Sequence, residues 1–223
     1  MWNGKSVGIV IVAGGSGQRM GADVPKQFLR VGGEVILVRT VRALMPFADT
    51  MVVVLPAEQQ ERWAELASEA GLTGEYIVCN GGSTRFESVR NGVAAVGECD
   101  LVAIHDGVRP LVTAAMIERG LATAARCGSA IPTIGAVDSY RIERDGTLEV
   151  VDRSKLRAVQ TPQIFDYEIA RRAYEQPWNE RFTDDGTVVE GLGVSLGYYE
   201  GERRNLKITT REDLAIAEAL LGM

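Results

Sequence analysis

A glycine-rich loop directly after an apolar segment constrains this chain more than any other feature. The segment Val7–Val12 runs into Ala13-Gly14-Gly15-Ser16-Gly17-Gln18-Arg19-Met20, and Val24-Pro25-Lys26-Gln27 closes the loop. A buried strand that ends in glycines lets the backbone approach a ligand closely, and the cations Arg19 and Lys26 supply charge that a polyphosphate needs. The sequence therefore predicts a nucleotide site; the alternative is a tight turn with two incidental surface cations.

Two familiar glycine-loop motifs do not fit this loop. Lys26 lies nine residues beyond Gly17 and follows a proline, so there is no GxxxxGK[ST] motif. The spacing of Gly14, Gly15 and Gly17 does not give the GxGxxG of dinucleotide-binding proteins either. Pro25 stiffens the chain where Lys26 is presented, which favours a built site over an incidental turn.

Composition limits the class of protein. The 223 residues are 46% hydrophobic, enough for one sizeable core, so a single domain over 1–223 is the expectation, with two small domains as the alternative. The formal net charge of −6 argues against nucleic acid and against an anionic membrane surface as partners. The N-terminus leads straight into a strand, which predicts a cytoplasmic protein. Three cysteines without CxxC spacing predict free thiols rather than a disulfide framework or a zinc site.

Apolar runs alternate with amphipathic stretches along the first 135 residues. The predicted strands are Val7–Val12, 51–55, 76–78, 101–104 and 130–134, and the predicted helices are 58–70, Arg85–Val96 and 113–127. This alternation predicts an α/β fold: a Rossmann-like, mostly parallel sheet with helices on both faces and ligands at the carboxyl ends of the strands. The glycine loop lies at such an end.

The alternation breaks at a predicted β-hairpin. Asp145-Gly146 stands between alternating polar and apolar residues within 138–151, which is typical of a tight two-residue turn. An isolated two-stranded hairpin is barely stable in water, so we expect an arm over 138–158 that packs on a second subunit. At the end of the chain, Thr209 and Glu212 have capping-box spacing before a helix over 213–221.

A carboxylate follows the fourth predicted strand, in His105-Asp106-Gly107-Val108-Arg109-Pro110. Asp106 is well placed to hold Mg²⁺ against phosphate oxygens, because magnesium usually takes one or two carboxylates plus the substrate. The alternative is a structural ion pair between Asp106 and Arg109, and the sequence leaves both open. His105, the only histidine, is interpreted as structural.

Two further groups of polar residues stand near predicted strand ends or late in the chain. Gly81-Gly82-Ser83-Thr84-Arg85-Phe86-Glu87-Ser88 precedes a helix; it is a helix cap, or its amides and the Ser88 hydroxyl read the edge of a base. The later group supplies cations and hydroxyls for a second phosphorylated substrate, and comprises Asp152-Arg153, Thr161-Pro162-Gln163, Thr183-Asp184-Asp185-Gly186 and Asn205-Leu206-Lys207.

Taken in order, these motifs resemble one enzyme family. GGSGQRM…PKQ, GGSTRFESV, HDGVRP, VDRSKLRAVQTPQIF, TDDG and NLKIT together resemble the 2-C-methyl-D-erythritol 4-phosphate cytidylyltransferases of the non-mevalonate isoprenoid pathway. The resemblance implies a homodimeric enzyme that uses Mg²⁺ to join CTP to a sugar-alcohol phosphate with release of pyrophosphate. The reaction needs cations and positioning rather than a protein nucleophile, since both reactants are polyanions.

The resemblance also implies roles for individual residues. Arg19 and Lys26 match residues that stabilise the triphosphate in the transition state, and Arg153 and Lys207 match residues that position the alcohol phosphate, with Arg153 reaching in from the partner's arm. Ala13, Gly14, Gly15, Gly17, Gly82, Ser83, Ser88 and Asp106 match the nucleotide site, with Asp106 as the metal-binding acid. Arg109, Ser139 and Thr183 match the surroundings of the second substrate.

Five positions depart from the family's usual residues, and two other functions stay open. Ser83, Ser139, Arg157, Gly107 and Arg204 stand where the family often has Asp, Thr, Trp, Ala and Asp, respectively. Serine at the first two positions still forms hydrogen bonds, but the carboxylate is lost at position 83. One alternative function is a cytidylyltransferase for ribitol 5-phosphate, and another is a non-catalytic nucleotide-binding regulator of the same fold.

Overall fold

The computed structural model describes residues 1–15, 24–72 and 74–222. Its strands are β1 Val7–Val12, β2 Arg30–Val31, β3 Glu34–Val35, β4 Thr50–Leu55, β5 Ile77–Asn80, β6 Leu101–Asp106, β7 Ser129–Gly135, β8 Arg141–Arg144, β9 Thr147–Val150, β10 Arg157–Val159, β11 Gln163–Asp166 and β12 Tyr198–Glu200. Its α-helices are α1 Ile36–Leu44, α2 Gln60–Glu69, α3 Arg85–Val96, α4 Ala114–Cys127, α5 Tyr167–Tyr174, α6 Asp185–Glu190 and α7 Arg211–Leu221.

One mixed sheet organises the described residues, in the order β10-β7-β11-β6-β1-β4-β5, with β12 beside β7. β5, β4, β1 and β6 run parallel, so their carboxyl ends meet at one edge, where Val12 is level with both Val54 and Asp106. β11 is antiparallel to β6 and β7. The predicted α/β class is confirmed. The strands predicted over 76–78 and 101–104 end two residues later than expected, at Asn80 and Asp106.

Helices cover both faces of the sheet, as predicted. Alternate residues of β1 point to opposite sides: Ile9 and Ile11 pack with α1, α2 and α4, whereas Val10 packs with α3, α5 and α6. Every residue from Val7 to Ile11 is buried, as expected of a central strand covered by helices on both faces. None of the helices in the described ranges combines the length and apolar character needed to cross a bilayer.

The predicted hairpin is β8 paired with β9, and it forms a two-stranded sheet of its own. Asp145 and Gly146 both have positive φ, 48° and 79°, which is the backbone of the tight turn that the Asp-Gly pair predicts. Every residue from 138 to 150 is exposed in the single chain.

The predicted capping box at the C-terminal helix is displaced by one residue. The N-cap is Thr210, whose hydroxyl oxygen accepts from the N–H of Asp213, and α7 begins at Arg211. Asp213 accepts in return from the N–H groups of Thr209 and Thr210, both at 2.8 Å, and from the Thr209 hydroxyl at 2.7 Å. Two adjacent threonines offered two caps, and the Thr210–Asp213 pair completes the box.

Candidate active site

Two adjoining pockets lie at the carboxyl edge of the parallel strands, and three charged side chains line both of them: Arg85, Asp106 and Lys207. The first pocket brings together nine predicted residues: Ala13, Gly14, Gly15, Lys26, Gly82, Ser83, Ser88, Asp106 and Lys207. The second adds Arg109 and Thr183. Residues far apart in sequence therefore form one continuous site with two compartments, which we call the nucleotide pocket and the second pocket.

Asp106 is buried where the two pockets meet, and cations surround its carboxylate. Its Oδ2 lies 3.1 Å from both Arg109 Nε and Lys207 Nζ, and its Oδ1 lies 3.6 Å from Arg85 Nε. Burial alone would raise the pKa of this carboxyl, but Arg85, Lys207 and Arg109 together hold the pKa well below its usual range. The ion pair of Asp106 with Arg109 is thus present, as one part of a cluster of three cations around one anion.

A chain of buried hydrogen bonds fixes the backbone at Asp106. The Asp106 N–H donates to Thr161 Oγ1 at 3.0 Å, and Thr161 Oγ1 lies 3.1 Å from His105 Nδ1. The other ring nitrogen, Nε2, lies 3.2 Å from the carbonyl oxygen of Arg109. Burial lowers the pKa of His105 to about 4, so the ring is neutral at pH 7: Nδ1 accepts from the Thr161 hydroxyl, and Nε2–H donates to Arg109.

The start of α3 shapes one wall of the nucleotide pocket. The N–H and hydroxyl of Ser83 both donate to Glu87 Oε2, at 2.7 and 2.6 Å, and the N–H of Glu87 donates to the N-cap Thr84 at 3.1 Å. The Ser88 Oγ accepts from Gly82 N–H at 3.0 Å and donates to the Thr84 carbonyl at 2.9 Å. A Cβ on Gly82 would lie 2.3 Å from that of Glu87, so this close turn requires glycine. The helix-cap interpretation is confirmed, and the same segment also lines the pocket.

The opposite wall is the exit of β1, which Gln27 supports. The side-chain amide of Gln27, itself fully buried, donates to the Ala13 carbonyl at 2.7 Å and to Gln59 Oε1 at 2.6 Å. Lys26 follows Pro25, and its side chain passes Gly15: a Cβ on that glycine would lie 3.4 Å from Lys26 Cε. The other predicted members of this loop, Gly17 and Arg19, lie outside the described residues.

Two predicted residues lie outside both pockets of their own chain. Ser139 and Arg153 are exposed, and Arg153 Nη1 donates to the carbonyl oxygen of Val137 at 2.7 Å, at the base of the arm. Neither lines the nucleotide pocket or the second pocket as the described residues form them. Within one chain, therefore, the structure does not bring these residues to the others.

Known proteins resemble this chain over nearly its whole length. Residues 7–223 match the family described as 2-C-methyl-D-erythritol 4-phosphate cytidylyltransferase. The chain belongs to this family. A member so named from Bacteroides fragilis is 46% identical over 214 residues, covering 95% of this chain and 98% of its own length, and one from Geobacter metallireducens is 40% identical over 222 residues, covering 95% and 96%.

Solved structures agree with the family assignment. The 4-diphosphocytidyl-2C-methyl-D-erythritol synthase of Anaerococcus prevotii superimposes with a TM-score of 0.85 at 25% identity, covering 99% of this chain and 100% of that one. The 2-C-methyl-D-erythritol 4-phosphate cytidylyltransferase of Thermus thermophilus superimposes with a TM-score of 0.78 at 30% identity, covering 98% and 100%. This member of the cytidylyltransferase family is therefore a nucleotidyltransferase with the family's α/β fold.

The structure explains two of the positions at which this chain departs from the family's usual residues. At position 83 a serine donates to the Glu87 carboxylate, which an acid at the same place would repel. The pKa of Glu87 is lowered by this hydroxyl and by the neighbouring N–H. At position 107 an added Cβ would lie 3.0 Å from both Ala13 Cβ and Leu37 Cδ1, so glycine relieves a tight contact.

Some residues that line the site had no individual role predicted from the sequence. Arg85 lines both pockets, and Gln160 and Asp184 line the second. Each stands inside or beside a motif that the sequence analysis quoted. The sequence did not indicate a role for Arg85, because its ion-pair partner Asp185 lies one hundred positions away.

The donor atoms of the site fit a divalent cation that is held chiefly by phosphate oxygens. In the described ranges no three Asp, Glu, His or Cys side chains gather as a protein-only metal site. Asp106 is the one carboxylate among the described residues that line the nucleotide pocket. A hard cation that keeps waters and phosphate ligands needs no more than one such carboxylate from the protein.

We predict that Thr161→Val lowers both stability and activity. The substitution keeps the side chain's shape but leaves the buried Asp106 N–H without a partner, which costs about 1–3 kcal/mol. Urea unfolding and steady-state turnover check this result. Thr161→Ser, which keeps the hydroxyl, should stay close to wild type. Thr123→Val, the same exchange on α4, removes only a bond to the Arg119 carbonyl and should leave turnover unchanged. Wild-type stability in Thr161→Val would contradict the positioning role.

Proposed function

We propose that this chain transfers the cytidylyl group of CTP to 2-C-methyl-D-erythritol 4-phosphate, releasing pyrophosphate. The observation that carries the proposal is the pair of adjoining pockets that share Arg85, Asp106 and Lys207. A transferase for two phosphorylated substrates needs two compartments that meet where the bond is made. Membership of the cytidylyltransferase family over residues 7–223 supplies the identity of the substrates.

The reaction requires charge neutralisation more than covalent help from the protein. A phosphate oxygen of the alcohol phosphate attacks the α-phosphorus of CTP, and the bond from the α-phosphorus to the oxygen that bridges it to the β-phosphate breaks as pyrophosphate leaves. Both reactants are anionic, so their mutual repulsion must be offset by fixed cations. Lys26, Lys207 and Arg109 line the pockets and supply such charge in a protein whose formal net charge is −6.

The two compartments suggest separate assignments. We assign CTP to the nucleotide pocket, with its base and ribose against Gly82, Ser83 and Ser88, and the rest of the nucleotide along the strand exit Ala13-Gly14-Gly15. Lys26 then meets the triphosphate, and we expect the same contact from Arg19, which lies outside the described residues. We assign the alcohol phosphate to the second pocket, with Arg109, Thr183 and Lys207. Support comes from the lining residues: Lys26, Gly82, Ser83 and Ser88 line the nucleotide pocket, and Arg109, Thr183 and Lys207 line the second pocket, whereas Ser139 and Arg153 reach neither pocket of their own chain.

We assign Mg²⁺ to the triphosphate, with Asp106 as its protein ligand. The bound Mg²⁺ would offset the negative charge of the triphosphate. The carboxylate of Asp106 faces both pockets and stays ionised because Arg85, Lys207 and Arg109 surround it. The same cations compete with the metal for its two oxygens, so the role of Asp106 requires a direct test.

We further propose that the protein is a homodimer joined through the arm over 138–158. The hairpin is exposed on both faces in one chain, and it carries apolar side chains that water does not favour: Leu148 is 61% and Val150 77% exposed. A second copy of the chain would cover this surface. It would also bring Ser139 and Arg153 toward the partner's second pocket, which explains why neither reaches a pocket of its own chain.

Pyrophosphate release with matched substrates tests the proposed function. The purified protein is supplied with CTP, Mg²⁺ and either 2-C-methyl-D-erythritol 4-phosphate or ribitol 5-phosphate. We expect rapid release with the first and a much lower kcat/KM with the second. The opposite preference would assign the ribitol 5-phosphate reaction, and CTP binding without turnover on either substrate would identify a non-catalytic regulator.

We predict that Lys26→Ala lowers kcat about 10²–10³-fold, because it removes a preorganised donor where charge develops in the transition state. Arg19→Ala should behave alike. Lys5→Ala is the matched control: Lys5 is a surface lysine that lies 3.8 Å from Asp100, outside both pockets, and its loss should leave kcat unchanged. Thermal unfolding verifies that each variant is folded. A folded Lys26→Ala protein with wild-type kcat would contradict the assignment of Lys26 to the triphosphate.

We predict that Asp106→Asn raises the Mg²⁺ concentration needed for half-maximal turnover, since a neutral amide is a poorer ligand for a hard cation. The measurement is a Mg²⁺ titration of initial rate at saturating CTP for variant and wild type. Curves that share a midpoint and differ only in height would show that Asp106 acts by ordering Arg109, Lys207 and Arg85 instead of binding the metal.

We predict that two inactive variants restore each other's activity if the arm acts across the dimer. A heterodimer of Arg153→Ala and Lys26→Ala chains then holds one site with both wild-type residues and one site with neither. If each site used Arg153 and Lys26 of the same chain, every site would have one defect. Differently tagged chains prove that subunits have exchanged. A verified heterodimer without CTP turnover would exclude the trans arrangement.

A further inference from the structure

The buried carboxylate of Asp185 lies behind the site and forms a bidentate ion pair with Arg85. Arg85 Nη1 and Nη2 donate to the two oxygens of Asp185 at 2.7 and 2.8 Å, and the Tyr174 hydroxyl donates to Asp185 Oδ1 at 2.5 Å. Asp185 is fully buried and Tyr174 nearly so. The three side chains come from three helices: Arg85 begins α3, Tyr174 ends α5 and Asp185 begins α6.

The remaining edge of the Arg85 side chain faces the site. Its Nε lies 3.6 Å from Asp106 Oδ1, and one third of the side chain is exposed, in the lining of both pockets. Asp185 and Tyr174 line neither pocket as the described residues form them. Any influence of these two residues on the reaction must therefore pass through Arg85 or through the walls that it joins.

The ion pair also links the walls of the two pockets. Arg85 follows Gly82, Ser83 and Thr84 in the nucleotide pocket, and Asp185 follows Thr183 and Asp184 in the second pocket. Because a guanidinium is planar, a two-pronged contact fixes its direction as well as its position, which the single ammonium of a lysine does not do. Burial alone would lower the pKa of Arg85, but the adjacent Asp185 raises it, so the side chain stays charged.

We propose that Arg85 is a positioning residue of the cytidylyl transfer: Asp185 and Tyr174 hold its guanidinium so that it orients Asp106 where the two pockets meet. This inference rests on the proposed function. It adds three residues to the reaction, two of which lie behind the pocket walls. Loss of the Tyr174 hydroxyl should slow the reaction without weakening CTP binding in proportion, because the nucleotide contacts themselves remain.

A double-mutant cycle of Tyr174→Phe and Arg85→Lys tests the proposal. Lysine at position 85 keeps a positive charge beside the buried Asp185, so we expect the Arg85→Lys protein to fold. It lacks the planar guanidinium whose bidentate contact with Asp185 the Tyr174 hydroxyl supports. In wild type, Tyr174→Phe should lower kcat about fivefold, and in the Arg85→Lys background less than about twofold, a non-additivity typical of residues in one network. The KM for CTP should change by less than about twofold in Tyr174→Phe, because uniform binding is retained.

Tyr167→Phe is the matched control, since Tyr167 is a buried tyrosine that begins the same helix and lies outside the Asp185 contacts. It should leave kcat unchanged. Thermal unfolding of every variant separates stability from rate. The proposal is overturned if Tyr174→Phe shifts only the unfolding midpoint, or if it lowers kcat equally in both backgrounds. If the wild type itself releases no pyrophosphate with either alcohol phosphate, the proposed function fails and this inference fails with it.

Discussion

The site depends on one buried carboxylate surrounded by three cations. Asp106 brings Arg85 from α3, Arg109 from the turn after β6 and Lys207 from the segment before α7 within 3.6 Å of a single side chain. Without the anion, three like charges at this spacing would repel one another in a region of low dielectric. Burial of the acid is tolerated only because the three cations accompany it. Loss of Asp106 would therefore leave Arg85, Arg109 and Lys207 without their shared counter-ion.

This arrangement suits a reaction between two anions. Positive charge that binds phosphate must be held at short range before the substrates arrive, and a central carboxylate permits that concentration. The same logic extends outward, because Asp185 anchors Arg85 and the Asn205 carbonyl accepts from Arg109 at 2.9 Å. The N–H of Ile208 donates to the Val108 carbonyl at 3.0 Å, which ties the Lys207 segment to the edge of the sheet. The positions of the cations at the site therefore depend on contacts from several elements of the fold.

Local pattern predicted the parts of the fold that local interactions determine. The apolar run of β1, the amphipathic helix predicted over 113–127 and the Asp145-Gly146 turn each carry their signal within a few residues, and the structure confirms them. The capping box at α7 was misplaced by one residue because Thr209 and Thr210 both have hydroxyls and an acid three positions later, and the structure uses Thr210 with Asp213. β11 was missed because four residues in an otherwise polar stretch receive their strand pairing from β6 and β7, which lie elsewhere in the chain.

The same division holds for the site. Residues at strand exits were predictable, because parallel strands gather their carboxyl ends at one edge. The link between Arg85 and Asp185 spans one hundred positions, so no spacing rule reveals it.

The most direct measurement is a crystal structure with CTP and Mg²⁺ bound. It should show cytosine against Gly82 and Ser88, with α-phosphate oxygens about 3 Å from Lys26 Nζ and beside the Asp106 cluster. A triphosphate bound away from that cluster would contradict the account.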